Sequence, residues 1–143
     1  MTRWNVIAAS TAAWALAMTA AAQPRVMSAQ QSGWIVPANA AAEKSPLTVT
    51  DATVAAGKKL FSSKCERCHG PAGKGDGEDA NPKFKHDMDL TKADDAAENP
   101  DGVVFYKIWN GHSSPKMPAF SEQISKEQAW TVVAYVQTLR PKH

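Results

Sequence analysis

Cys65-Glu66-Arg67-Cys68-His69 gathers the chain's only two cysteines and an imidazole into one short segment. Thiols three positions apart lie on about one helical turn. Each can add its S–H across a vinyl C=C bond of a porphyrin, giving two thioethers along one ring edge with no atom lost. The adjacent imidazole then falls beneath the iron and can ligate it through Nε2. C-x-x-C-H is the attachment signature of c-type haem. Three other readings compete. A disulfide or thioredoxin-type pair suits an oxidising compartment, but that motif expects a preceding strand in a βαβ unit, and here a helix precedes it. A structural zinc site needs four ligands, and His86, His112 and His143 stand at unrelated spacings from the two thiols. A chance match is made less credible by the His directly after the sole Cys pair.

A haem with one protein ligand still needs its sixth position explained. Met88, Met117, His86 and His112 follow the motif. A thioether is soft, favours ferrous iron and raises the reduction potential. Met117 lies in Pro115-Lys116-Met117-Pro118-Ala119-Phe120, where two prolines stiffen the loop and lower the entropy lost on coordination. Met88 sits between Asp87 and Asp89, poor company for a haem face. Methionine more often fills a core gap than binds metal; with the cofactor in place, Met117 is the expected ligand. His86 and His112 read as exposed loop residues. No nucleophile–base pair or paired-carboxylate site stands out, since Asp76, Glu78 and Asp79 fall in a hydrated glycine-rich loop. The chain therefore reads as an electron carrier with no catalytic residue, not as an enzyme.

Helices must hold these groups. Thr50 or Asp51 can cap a helix over 51–63, with Val54, Gly57, Leu60 and Phe61 on one face. Residues 70–92 read as loop, punctuated by Gly70, Pro71, Gly73, Gly75, Gly77 and Pro82. Asn99-Pro100 reads as an N-cap followed by Pro in the first helical position. That helix carries Val103, Val104, Lys107 and Ile108 and ends at Gly111. A second loop spans 112–123. Ser125 and Gln128 form a capping box for a last helix, with Trp130, Val133, Ala134 and Leu139 as its stripe and Pro141 as its stop. No strand pattern of useful length is present. The expected fold is all-α, three to four short helices with long loops. Loops of that length in so small a domain call for something central that orders them.

The flanking sequence speaks to location. Arg3, the apolar or small stretch over 6–18 and Ala20-Ala21-Ala22 fit a secretion signal over 1–22. That stretch is weak as a spanning helix, and no later segment would cross a bilayer, so no membrane span is expected in the mature protein. Residues 23–50, broken by Pro24, Pro37 and Pro46, read as an extended arm or linker, and residues 51–143 as the domain. Within the arm, Gly33-Trp34-Ile35-Val36-Pro37 is an apolar cluster that either packs back on its own domain or docks a partner. The formal charge of +2 is too small to argue for nucleic acid or a membrane surface. It hides a split: residues 76–101 hold nine acids against three lysines. Such a run is a solvated loop, or one pole of a dipole that orients the protein on a redox partner.

The ordered set of motifs resembles class I cytochrome c, the monohaem His/Met kind of bacterial periplasms. The resemblance covers about residues 51–139. It runs through Ala56-Gly57-Lys58-Lys59-Leu60-Phe61, Cys65 to His69, Gly70-Pro71-Ala72-Gly73-Lys74-Gly75-Asp76-Gly77, Asp89-Leu90-Thr91, Ile108-Trp109-Asn110-Gly111, Met117-Pro118-Ala119-Phe120 and the final helix. It implies a cytochrome c fold around one covalent haem c, with Cys65, Cys68, His69 and Met117 as the cofactor-binding residues and His69 and Met117 as iron ligands. It implies a crossing of the first and last helices at Gly57 and Tyr135, with Trp130 nearby, and Leu90 against the haem. It further implies a periplasmic one-electron carrier meeting donor and acceptor proteins at an exposed haem edge. A haem subunit of a larger oxidoreductase and an open-site haem enzyme or sensor are the alternatives. Residues 23–50 fall outside the resemblance.

Overall fold

The computed structural model describes residues 1, 33–114 and 116–141. The segment read as a secretion signal and the first part of the arm lie outside the described residues, as do Pro115 and His143.

Helix α1, Asp51–Lys64, starts where Thr50 Oγ1 accepts the Thr53 N–H at 3.2 Å. It buries Gly57 and Phe61. Helix α2, Glu66–His69, is the motif turn itself, with the His69 amide donating to the Cys65 carbonyl at 3.0 Å. Helix α5, Asp101–Asn110, ends at Gly111, whose φ of +66° suits glycine alone. Helix α6, Lys126–Thr138, opens with the expected capping box: Gln128 N–H donates to Ser125 Oγ at 3.1 Å, and Ser125 N–H to Gln128 Oε1 at 2.8 Å.

The loop read over 70–92 holds more structure than its glycines promise. Helix α3, Lys85–Met88, follows a 3₁₀ turn at Pro82–Phe84, and helix α4, Ala93–Glu98, follows soon after. These helices carry no apolar stripe, so periodicity could not reveal them. Alanines and the first-turn acids Asp94 and Asp95, which complement the helix dipole, favour α4. Pro100 rather than Asn99 takes the cap position of α5. The Asn99 amide is engaged elsewhere, donating to the Asp95 carbonyl at 2.8 Å and accepting from Lys107 Nζ at 2.6 Å. The only strands among the described residues are β1, His112–Ser113, and β2, Lys116–Met117, an antiparallel pair that sets His112 opposite Met117.

The core forms where α1 and α5 pack on α6. Phe61 and Val133 are each 1% exposed, and Phe61 meets Tyr135 edge-on with centroids 5.2 Å apart. Phe105 is stacked between Trp130 at 4.3 Å and Trp109 at 5.7 Å. The crossing of α1 and α6 has no room for a side chain at Gly57: a Cβ there would land on the Thr131 carbonyl and stand 3.0 Å from Tyr135 Cβ. The fold is all-α apart from the small hairpin, as expected.

Residues 33–50 pack back on the helices. Trp34 is 7% exposed and stacks on His112 with centroids 4.5 Å apart. His112 Nε2 lies 3.0 Å from the Gly33 carbonyl, and Lys107 Nζ stands 5.2 Å above the Trp34 ring. His112 is thus half-buried against the arm and not the exposed loop residue expected, because the indole gives its ring an apolar face to cover. Truncating Trp34 to Ala removes the stack and the cation–π contact together. Buried Trp truncations cost about 3–5 kcal/mol in cores. Here the loss should fall on the arm: in limited proteolysis of Trp34→Ala, cleavage within 33–50 should speed up while the helical circular dichroism stays intact. Unchanged cleavage would show that other contacts hold the arm.

Candidate haem site

Phe61 and Cys65 stand four residues apart, as do Val104 and Ile108 on α5 and Val132 and Val136 on α6. All six line one cavity of about 540 Å³, together with His69, Leu90 and Met117. Positions four apart share one face of a helix, so three helices each turn one apolar face to the same space. This explains why α6 buries Val132 and Val136 beyond the stripe expected for a single contact: one part of its surface meets α1 and α5, and another lines the cavity. The volume is within the roughly 300–1,000 Å³ of small-molecule sites.

The motif residues divide. Cys65 and His69 line the cavity; Cys68 is half-buried but not among the lining residues. Both thiols are free. Burial, with the neighbouring Cys68, pushes the Cys65 thiol up to about 12 against the pull of Lys64. His69 Nδ1 lies 2.7 Å from the Met88 carbonyl oxygen. A carbonyl can only accept, so Nδ1 carries the proton and Nε2 keeps its lone pair, the tautomer a metal ligand needs. Burial holds the imidazole below its ordinary pKa, opposed by that carbonyl bond. The loop after the motif is folded back on it: Gly75 N–H donates to the His69 carbonyl at 2.8 Å and Leu90 N–H to the Gly73 carbonyl at 2.7 Å. Asp89 Oδ1 accepts from the Thr91 amide and hydroxyl at 2.9 and 2.7 Å, which fixes the turn that carries Leu90.

Met117 shares the cavity with Cys65 and His69. Met88 does not line it and contributes only its backbone carbonyl. The acidity of its flanks is not what keeps Met88 away, since Asp87 and Asp89 both line the cavity. His86 lines it as well, from an exposed position on α3. Sequence reasoning missed Trp34, Asp95, Glu98, Asn99, Lys107 and Arg140 as lining residues. For Trp34 the apolar cluster in the arm was the signal; a lone Lys in an apolar helix and an Arg just past one gave none.

The residues fit a covalently held haem. A thiol, an imidazole with a free Nε2 and a thioether line one cavity whose walls from α1, α5 and α6 are largely apolar and whose other lining includes Asp87, Asp89, Asp95 and Glu98, and one buried polar atom, Arg140 Nε, has no partner. Residues 54–140 match the cytochrome c family, and the chain belongs to it. Members of this family bind haem c covalently and transfer electrons. Among solved structures, the chain is similar to a component of the Kuenenia stuttgartiensis reducing HAO-like protein complex Kustc0457/Kustc0458, at 31% identity and a TM-score of 0.59 over 68% of this chain and 48% of that one. It therefore spans about half of that component. The KustC0563 c-type cytochrome aligns at 23% identity and a TM-score of 0.48 over 59% of this chain and 98% of that one. No curated protein gave a match. Among the described residues no helix is long and apolar enough to cross a membrane.

Proposed function

We propose that the chain is an exported one-electron carrier with one haem, bound through thioethers to Cys65 and Cys68 and ligated axially by His69 and Met117. The observation that carries this reading is the convergence of Cys65, His69 and Met117 on one cavity, with His69 Nδ1 engaged by the Met88 carbonyl. When bound, the haem supplies an iron that cycles between ferrous and ferric. The protein's part is to keep that change small. His69 is oriented by its carbonyl bond, and Met117 is held on the strand paired with His112. Phe61, Val104, Ile108, Val132 and Val136 exclude water. With both axial positions filled by the protein, electron transfer needs no ligand to enter or leave. Residues 1–22 as a cleaved signal and 51–143 as the haem domain complete the proposal.

Protein matured in a bacterial periplasm with haem-attachment machinery tests it. The mass should rise by one haem, and the ferric spectrum should be low-spin with the far-red thioether-to-iron band. Cys65→Ser/Cys68→Ser should carry no covalent haem. A high-spin ferric spectrum without that band would instead support an open iron site.

A second reading is favoured by the similarity to a component of an HAO-like complex: the chain serves as the haem subunit of a larger oxidoreductase. Size-exclusion chromatography of protein from its native source separates the two. Elution as a small monomer supports the free carrier, and co-elution with larger chains supports the subunit.

A further inference from the structure

Met117 stands on a hairpin too short to hold itself. β1 and β2 pair only His112 with Met117 and Ser113 with Lys116, and an isolated two-stranded hairpin is marginal in water even when longer. The chain after Met117 is anchored in the domain: the Phe120 N–H donates to the Ile108 carbonyl at 3.1 Å, and Phe120 is buried. The opposite strand rests on the arm. Trp34 stacks on His112, the residue facing Met117, and the Gly33 carbonyl lies 3.0 Å from His112 Nε2. Lys107 Nζ of α5 stands 5.2 Å from the centre of the same indole. One side chain of the arm thus joins the hairpin to α5.

The arm is fastened further along as well. Ala40 is buried where the turn Ala40–Ala42 packs on α5. The approach is so close that a Cβ at Gly102 would fall on the Ala40 carbonyl and crowd that of Glu43. Leu47 packs against the core, and Thr53 Oγ1 donates to the Thr48 carbonyl at 3.0 Å at the start of α1. A second cleft opens between the arm, α5 and the hairpin, and Trp34 and Met117 are the two residues that it shares with the haem cavity. Side chains that line both spaces form a wall between them.

We propose that residues 33–50 are a strap that seats Met117, with Trp34 as its positioning residue: the indole braces the hairpin through His112 and, with Met117, closes the haem cavity toward the second cleft. The inference rests on the proposed axial role of Met117 and adds what keeps that ligand in place. The strap lies wholly outside residues 54–140, which match the family, so this brace is an addition of this chain to the common domain.

The consequence is kinetic. Met117 can leave its seat only if its strand moves, and then the stack on Trp34 must break or follow. A ring stack and a cation–π contact together oppose such an opening by about tenfold. A strap of this kind keeps small ligands out of the cavity without filling it.

The test uses the haem-loaded full chain, with cyanide as the probe of the ferric form. In wild type the binding rate should level off at high cyanide, because Met117 must leave before cyanide enters, and the plateau reads how fast it leaves. In Trp34→Ala the plateau should rise by about tenfold. Trp34→Phe, which keeps a ring for His112, should restore most of the difference. Val49→Ala, which trims an exposed residue of the arm that lines neither cavity, serves as the control. Loss of the far-red thioether-to-iron band in Trp34→Ala but not in Trp34→Phe would support the strap equally. A Trp34→Ala plateau equal to the control's overturns the inference while the axial role of Met117 stands. This holds even if binding is faster at low cyanide, since the indole would then only narrow the path. If Trp34→Ala carries no haem, Gly102→Ala decides: Gly102 lines neither cavity, and its new Cβ lifts the arm from α5. Its plateau should rise too, and an unchanged plateau overturns the strap. Wild type without the far-red band would refute the axial role itself before any variant is compared.

Discussion

Met117→Ala should give a haem protein that binds carbon monoxide when reduced and cyanide when oxidised, with a reduction potential well below that of wild type. Loss of the thioether removes the ligand that favours ferrous iron, and alanine leaves the position open to water and small ligands. Axial ligation accounts for roughly 0.8 V of the span in haem potentials, so the fall should be on the order of 0.1 V or more. The fold should survive, because Met117 sits on a short hairpin whose opposite residue, His112, is fixed separately by Trp34 and Gly33. Met88→Ala is the informative companion. Met88 serves His69 through its backbone carbonyl, which alanine keeps, so its spectrum and potential should stay near wild type. The reverse pattern, Met88→Ala opening the iron and Met117→Ala leaving it closed, would overturn the ligand assignment.

Gly57→Val should be the most damaging substitution in the first helix. The obstacle is the backbone carbonyl of Thr131, which has no rotamer by which to move aside, with Tyr135 Cβ close behind it. The axes of α1 and α6 must separate, and the contacts of Phe61, Val133 and Tyr135 loosen with them. Overpacking a core commonly costs about 1–3 kcal/mol, and a clash against backbone belongs at or beyond the top of that range. For a domain of this size each kcal/mol lowers Tm by about 4–8 °C, so a fall of about 12–24 °C is expected in thermal melts of the haem-loaded protein. Gly57→Ala should show a smaller shift in the same direction. A Gly57→Val melt within a few degrees of wild type would mean that the helices do not cross as closely as described.

The parts of the fold and site that were legible in the sequence share a local cause. The capping box of Ser125 and Gln128, the Thr50 cap and the Gly111 stop are set by neighbouring residues, so their spacing alone locates α1, α5 and α6. The motif and Met117 were singled out by residue chemistry, and Cys65, His69 and Met117 line one cavity. What remained hidden depends on partners distant in sequence. Helices α3 and α4 have no apolar period to betray them. The Met88 carbonyl could not be found from side-chain identity, because the group that orients His69 belongs to the backbone. His112 was misread because its partner, Trp34, lies in the arm. Lys107 and Arg140 are both bonded to Asn99, a residue whose sequence context pointed to a helix cap.

The burial of Cys65 bears on the order in which the molecule is made. In the folded chain its thiol is neutral at any physiological pH, with its pKa at about 12, and a neutral buried thiol is a poor nucleophile. Its burial depends on α1 docking against α6, the last helix in chain order. Until α6 docks, the two thiols remain accessible. On the proposed reading of an exported haem protein, thioether formation has to follow export and precede that docking, so the pace at which the C-terminal helix docks would set how long the chain stays receptive to its cofactor.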